Sequence, residues 1–344
     1  MLRLFFRSFS LIRDNGKAKI LILTALSISL FGVLIAYELN SWYRDFYDML
    51  QLYDTAALFP LIILFLGLVF SQTTAVGINL LLVEYTEAVI REKLMQTLLA
   101  KLIKQTGVTD FKRIPADQRI AEDTDIYATR VVSLTSVLTG ELIKAGVFFA
   151  VIVSTTLQTS YVIMGFVIPI GILLGVISVG YFFISWGVIS LGGKQLMDRE
   201  TNKRNIEAIL REQMLRIRDS FQVPDRQSER DVRQKNSLRI MADLTTSTVS
   251  VAKVASMVSF SNALSTSLAG IIPLGVLAPA YLSKEITLGE LVQISAAFGI
   301  LQLSLSQILN SYREITRMLS AYDRICTFIQ ILEGTSKSPS SSLS

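Results

Sequence analysis

Charged residues are absent from four long segments of this chain. The segments are Ile20–Tyr37, Thr55–Val83, Ala145–Gly193 and Val254–Ser283. A helix needs about 20 apolar residues to cross a bilayer, so the first, second and fourth segments each predict one membrane span. Ala145–Gly193 is long enough for two spans, and we expect Gln158, Thr159 and Ser160 to form the turn between them.

A sixth span is predicted within Ile286–Glu333, which is amphipathic. On a helical wheel the apolar side holds Leu291, Ile294, Phe298, Leu301, Leu305 and Ile308. We expect lipid to meet this side and the polar sides to meet other helices or a water-filled path. Ordinary helix packing through small residues explains the same pattern. The residues that we expect to line such a path are Gln293, Gln302, Ser306, Asn310 and Arg313.

The composition places the chain in the membrane and excludes several kinds of site. Only 18% of its residues are charged, against about a quarter in soluble domains. Cys326 is the single cysteine and histidine is absent, so an intrachain disulfide, a zinc cluster and a Ser-His triad are excluded. We expect neither a metal nor another cofactor.

The positions of Lys and Arg predict the topology. Of the 33 basic residues, 29 lie in the segments on one side of the predicted spans, two on the other side, and Lys144 and Lys253 within helices. By the positive-inside rule we expect both termini to be cytoplasmic. The same rule explains the net charge of +5 without nucleic acid, which we do not expect as a partner.

Three regions are predicted along the chain. Residues 1–19 place Leu2, Phe5 and Phe9 on one helical face and predict an amphipathic helix at the membrane surface. A signal peptide is the alternative, but no small-residue cleavage site follows Tyr37. Residues 20–330 form the six-helix membrane domain, and residues 331–344 form a flexible tail.

Two predicted helices extend far beyond the bilayer. Glu84–Lys104 continues the second span without Gly or Pro, and Lys194–Gln222 is similarly helical in pattern. Short turns near Gly107–Pro115 and Val223–Glu229 would join these extensions to the next helices. Such long extensions are characteristic of the membrane domain of exporter-type ABC transporters.

Four motifs resemble those of the SbmA/BacA peptide transporters and of related ABC half-transporters. They are DQRIAED (Asp117–Asp123), NIEAILREQMLRIRDS (Asn205–Ser220), ITLGELVQISAAFG (Ile286–Gly299) and LSAYDRI (Leu319–Ile325). ELNSWYRDFYDMLQ (Glu38–Gln51) resembles the family's short aromatic–acidic outer loop. The resemblance implies an all-α, ABC-exporter-like (type IV) membrane domain, a domain-swapped homodimer and transport driven by the proton gradient.

Two of these motifs carry charges that suit helix joints. DQRIAED provides Gln118, Arg119, Glu122 and Asp123, which can cap helices or form ion pairs, and Glu207 lies four residues before Arg211 on one helix face. Both motifs are structural joints on this interpretation. In the ABC relatives such turns receive the motion of the ATPase, so the motifs do not decide between the two kinds of transporter.

The chain is not expected to be an enzyme. Gly192-Gly193-Lys194-Gln195 lacks the spacing and the hydroxyl of a P-loop. Twenty residues follow Arg324, which is too few for a nucleotide-binding domain. An ATPase, if one is used, would be a separate chain.

Proton coupling requires a carboxyl group that changes its exposure to solvent. Glu141 is the leading candidate, with Glu87, Glu207 and Glu290 behind it. An ion pair of Glu141 with Lys144 or Lys253 is the structural alternative.

Three functions follow from these observations. The first is a proton-driven homodimeric transporter of peptides or similar amphipathic solutes. The second is the membrane subunit of an ABC transporter with a separate ATPase. The third is a membrane scaffold that transports nothing.

Overall fold

The computed structural model describes residues 15–104, 116–156, 159–163, 166–220 and 227–332. The predicted surface helix before Asn15, the turn near Gly107–Pro115 and the tail after Leu332 lie outside the described residues. Of the turn near Val223–Glu229, only its end from Gln227 is described, where a helix begins.

Six long helices are present among the described residues, and each is long and apolar enough to cross a membrane. They are α1 (Gly16–Leu52), α2 (Thr55–Lys104), α3 (Thr124–Thr155), α4 (Ile170–Ser220), α5 (Gln227–Leu282) and α6 (Leu288–Leu332). The shortest has 32 residues and the longest 56. At 1.5 Å per residue this is about 48 to 84 Å, so every helix exceeds the roughly 30 Å of the hydrocarbon core. The predicted extension Glu84–Lys104 is confirmed as helical, and that of the fourth helix is confirmed from Lys194 to Ser220, where the described part of the helix ends.

The aromatic–acidic segment Glu38–Gln51 is helical, although we expected an outer loop. It forms the last turns of α1, because it contains no helix breaker and its aromatic residues pack. The Trp42 indole Nε1 donates a hydrogen bond to the Leu61 carbonyl of α2 at 2.8 Å, and its ring stacks on Phe46 with centroids 4.7 Å apart. The chain reverses only at Tyr53 and Asp54.

A β-hairpin replaces the single turn that we expected between the third and fourth spans. β1 (Ser160–Ile163) pairs antiparallel with β2 (Phe166–Pro169). Aromatic and β-branched residues dominate both strands, which favours extended backbone over helix. The Tyr161 hydroxyl donates to the Val276 carbonyl of α5 at 2.7 Å and accepts from the Ala280 amide at 3.2 Å.

The described parts of Met1–Gly175 and Pro273–Ser344 form one compact unit, here called the first unit. Within it α3 packs along α6, and α1 and α2 pack against each other and against α3. Large side chains at its core are fully buried, among them Leu98, Tyr127, Met318, Ile325 and Phe328.

The apolar side of α6 faces this core and not lipid, contrary to our expectation. Ile294 and Phe298 have no exposed surface, and Leu301 is 2% exposed. The reason is that α6 packs against both α1 and α3, so that its apolar side is covered by protein.

The N-terminus of α6 is held by the end of α1. Asp48 accepts a hydrogen bond from the Gly289 amide and Gln51 one from the Leu288 amide, both at 2.8 Å. A Cβ at position 289 would overlap the Arg44 carbonyl and the Asp48 carboxylate, so only glycine fits here.

The described parts of Val176–Ile272 form the second unit, which contains most of α4 and α5. The Tyr181 hydroxyl donates to the Ser265 carbonyl, and Arg199 donates to the Ser250 hydroxyl at 2.7 Å. From Phe183 to Arg218 the structure describes no buried residue.

Candidate functional site

A buried carboxylate, Asp123, joins the start of α3 to the end of α6. Its side chain is 3% exposed and accepts hydrogen bonds from Nε and Nη2 of Arg324 at 2.9 and 2.7 Å. Arg119 donates to the second carboxylate oxygen. Burial alone would raise the pKa of Asp123, but the hydrogen bonds from Arg324 and Arg119 outweigh it and hold the pKa below its usual value.

The backbone before α3 explains how Asp123 reaches both arginines. Ala116–Gln118 forms one helical turn and Arg119–Asp123 a π-helical segment, which leads directly into α3. π-Helical segments are rare in proteins, and those that occur are often found at functional sites. Arg119 and Asp123 lie on its inner side, whereas Gln118 and Glu122 form an exposed hydrogen-bonded pair at 3.0 Å.

A second buried carboxyl group, Glu87, lies on α2 beyond the charge-free segment Thr55–Val83. It is 9% exposed. Burial and the neighbouring charge of Glu84 raise the pKa of Glu87 to about 7, although a hydrogen bond from Thr129 and the charge of Arg130 oppose the shift. This carboxyl group therefore titrates near neutral pH.

Further ion pairs continue from this carboxyl group across three helices. Arg130 of α3, the residue after Thr129, pairs with Glu314 of α6 at 2.9 Å. Glu314 also pairs with Arg317 at 3.2 Å. Arg91 of α2 pairs with Asp125 of α3 at 2.9 Å.

These pairs and the Asp123 clamp form what we call the arginine–carboxylate network. Its members are Arg91, Arg119, Arg130, Arg317 and Arg324 with Asp123, Asp125 and Glu314. The network joins α2, α3 and α6 within the first unit, and Glu87 adjoins it through Thr129 and Arg130.

Glu141, the leading coupling candidate from the sequence, lies outside this network. Its Oε1 accepts a hydrogen bond from Lys144 Nζ at 2.8 Å, one turn further along α3. The two side chains are 19% and 29% exposed. This is the structural pair that the sequence offered as an alternative.

The other two coupling candidates take part in local helix contacts. Glu207 pairs with Lys203 at 3.7 Å instead of Arg211, which is exposed. Glu290 accepts from the Thr287 amide at 3.0 Å, while the Glu290 amide donates to the Thr287 hydroxyl. Reciprocal bonds of this kind form a capping box at a helix start, which accounts for Glu290.

The predicted path-lining residues of α6 divide into two groups. Gln293 and Gln302 are buried, at 4% and 8% exposure, and the Gln293 carbonyl accepts a hydrogen bond from the buried Asn40 side chain at 3.0 Å. Ser306 and Asn310 are exposed. The side chain of Arg313 lies outside the described residues.

Several residues of the network could not be assigned from the sequence. Arg130 and Glu314 stand in no recognisable motif, and they meet only because α3 packs along α6. Arg324 lies in the motif Leu319–Ile325, which resembles the family in sequence. Its partner Asp123, however, is 201 residues away in the chain. A pairing between distant charges leaves no local spacing that a single sequence could reveal.

Comparison with known proteins agrees with this architecture. No curated protein gives a significant match to the chain. The sequence profile described as the SbmA/BacA-like family matches residues 16–333, which is nearly the whole chain. Together with six helices able to cross a membrane, this match shows that the chain belongs to the SbmA/BacA-like family of membrane transporters.

Proposed function

We propose that the chain is a homodimeric transporter of the bacterial inner membrane, driven by the proton gradient. Its substrates on this proposal are peptides or similar amphipathic solutes. The observation that carries the proton coupling is Glu87, a buried carboxyl group whose pKa is raised to about 7.

A carboxyl group with such a pKa binds and releases a proton after small changes in its surroundings. When Glu87 is ionised it attracts Arg130, which is also held by Glu314 of α6. When Glu87 is protonated this attraction is lost and Arg130 is left to Glu314. Protonation therefore changes the balance of forces between α2, α3 and α6, which is what coupling to a conformational change requires.

The polar surface of α6 supports a water-filled path for the substrate. Ser306, Gln307 and Asn310 are exposed in a helix whose apolar side is buried. Polar residues in a membrane helix typically face a cavity or another protein surface instead of lipid. On this proposal they line the path, with Gln302 beside them.

The second unit supports the homodimer. Ile209, Met214 and Leu215 of α4 are 50%, 47% and 45% exposed, and they lie beyond the charge-free segment that ends at Gly193. Lipid cannot cover apolar side chains outside the bilayer, so a protein surface is the natural partner. A second copy whose α4 and α5 are exchanged between the subunits would supply it.

Uptake by liposomes tests the proton coupling. Purified protein is reconstituted with an acidic exterior and a neutral interior, and accumulation of a fluorescent cationic peptide is followed without ATP. We expect uptake that a protonophore abolishes. Glu87→Gln should lose this uptake, because an amide cannot titrate, whereas the exposed Glu92→Gln on the same helix should retain it.

Three results would contradict the coupling proposal. One is equal uptake by Glu87→Gln and wild type. Another is uptake that is the same with and without the pH gradient. The third is uptake that appears only when ATP and a separate ATPase are supplied, which would identify the chain as an ABC subunit.

Cysteine cross-linking tests the homodimer. In a Cys326→Ser background, Met214→Cys should form disulfide-linked dimers on mild oxidation in native membranes. A cysteine at Lys203, which is paired with Glu207 on the same extension, serves as the comparison. Cross-linking that rises with expression level at both positions equally would indicate random collision and contradict the dimer.

A further inference from the structure

A groove runs between α3 and α6 beside the arginine–carboxylate network. Its volume is about 460 Å³, and its lining includes Arg130 and Thr129 of α3 and Arg317, Ser320 and Arg324 of α6. The volume lies within the range of small-molecule sites, about 300 to 1,000 Å³. Three guanidinium groups thus line one groove of ligand size.

The charged side chains that line the groove are mostly cationic. Arg130, Arg317 and Arg324 line it together with one carboxylate, Asp125. Asp123, Glu314 and Asp323 act on these arginines from outside the lining. The lining itself therefore favours an anion.

The guanidinium groups also retain donors for such a ligand. A guanidinium has five N–H donors, whereas the described contacts with Glu314 use one terminal nitrogen of Arg130 and one of Arg317. Arg317 is 64% exposed and stands at the open side of the groove. Planar arginine forks match the oxygens of a phosphate group, which they bind in pairs.

We propose that the α3–α6 groove binds a soluble small molecule that carries a phosphate group. Its phosphate lies among Arg130, Arg317 and Arg324. The groove lies further along α6 than Ser306, Gln307 and Asn310, which are proposed to line the substrate path. Its existence does not depend on the proposed transport activity.

The position of the groove favours a soluble molecule over a lipid headgroup. Residues 291–312 of α6 carry no charge, and Thr316 to Arg324 follow this segment by four to twelve residues. At 1.5 Å per residue the groove lies about 6 to 18 Å beyond the apolar segment. The headgroup layer is only about 5 to 8 Å thick on each side, so most of the groove lies beyond it.

Binding of inorganic phosphate tests the proposal. Wild-type protein in phosphatidylcholine nanodiscs is dialysed against radiolabelled phosphate in a chloride buffer of constant ionic strength. We expect saturable binding, weakened about 10-fold or more by Arg317→Gln, since a hydrogen bond to a charged group is lost. Arg317→Lys, which keeps the charge but not the fork, should give an intermediate affinity.

The matched control is Arg204→Gln in α4. Arg204 is likewise an exposed arginine paired with a glutamate on its own helix, Glu200, but it is not in the groove. It should bind phosphate as the wild type does. Equal affinities of the two glutamine variants, or no phosphate binding by the wild type, would overturn the proposal.

Nanodiscs containing phosphatidic acid distinguish the lipid source. If phosphatidic acid raises the melting temperature of the wild type but not of Arg317→Gln, while free phosphate does not bind, the groove is a headgroup site. That result would overturn the assignment to a soluble ligand. Phosphate binding that is unchanged by phosphatidic acid would support it.

Discussion

The Asp123 carboxylate accepts two hydrogen bonds from Arg324, although the two residues are 201 positions apart in the chain. The contact joins two segments, Asp117–Asp123 and Leu319–Ile325, that resemble the family separately. Their pairing gives both segments one structural role, which is to lock the start of α3 to the end of α6.

Asp123→Asn should destabilise the protein at neutral pH. The substitution leaves Arg324 and Arg119 without their anion, and loss of one partner of a buried pair costs about 3 to 5 kcal/mol. Thermal unfolding in detergent measures the effect. The folded pKa of Asp123 is lowered, so its stabilisation is fully present above pH of about 3.8 and is lost as the pH falls through the folded pKa. A variant that melts like the wild type at pH 7 would show that the clamp contributes nothing.

Glu87→Gln should remove a pH dependence of stability that is opposite in sign to that of Asp123. The folded pKa of about 7 exceeds the ordinary 4.5, so the wild type loses stability as the pH rises from about 4.5 to 7. The glutamine variant has no such loss. Its free energy of unfolding should therefore rise relative to that of the wild type by about 1 to 3 kcal/mol over this pH range. Melting temperatures at pH 5 and pH 8 check it. Parallel pH curves for the two proteins would contradict a titrating Glu87.

Glu141→Gln separates the proton role of that residue from its pairing with Lys144. If Glu141 carries the proton, pH-driven uptake is abolished while the melting temperature holds. If the pair is structural, the variant loses stability by an amount between the roughly 1 kcal/mol of an exposed pair and the 3 to 5 kcal/mol of a buried one. The double variant Glu141→Gln, Lys144→Gln should then recover much of it. Normal uptake and normal melting would dismiss both roles.

Gly289→Ala should destabilise the contact between α1 and α6. The added methyl group overlaps the Arg44 carbonyl and the Asp48 carboxylate, and overpacking of this kind costs about 1 to 3 kcal/mol. Gly299→Ala on the same helix is the control, because a Cβ there meets no atom within 4 Å. The control should be neutral or stabilised by up to about 1 kcal/mol. Equal melting of the two variants would contradict the close approach.

Cysteine labelling on intact cells tests the topology. In the Cys326→Ser background, Leu52→Cys stands at the end of α1 with 77% exposure, on the predicted outer side. Lys235→Cys lies on α5 in the segment predicted to be cytoplasmic. An impermeant thiol reagent should label only the first, because 29 of the 33 basic residues lie on the other side. Equal labelling would contradict the topology.

The sequence predicted the helices well, because spans and extensions have local signals. Charge-free segments and the lack of Gly and Pro after Val83 were enough to predict α2 as one helix through Lys104. The hairpin was missed because Ser160–Pro169 is as apolar as a span, and hydropathy does not distinguish a strand from a helix in so short a segment.

The candidate site was predictable only in part. Glu87 was recognised as a carboxyl group of interest, but its burial depends on how α2 packs against α3. Our prediction that the apolar side of α6 meets lipid was wrong, because apolar residues are equally suited to lipid and to the protein interior. Which of the two covers Ile294 and Phe298 is decided by neighbouring helices that are distant in sequence.

The Tyr161 hydroxyl bridges the Val276 carbonyl and the Ala280 amide, two groups that a regular helix joins directly. Tyr161 is synthesised 115 residues before Val276. The hairpin therefore gives both groups near the end of α5 a hydrogen-bond partner from a part of the chain that is synthesised earlier. These contacts lie beside Pro279, which has no amide hydrogen to donate, so a side chain of the hairpin adds hydrogen bonds to α5 at the point where the helix itself lacks one.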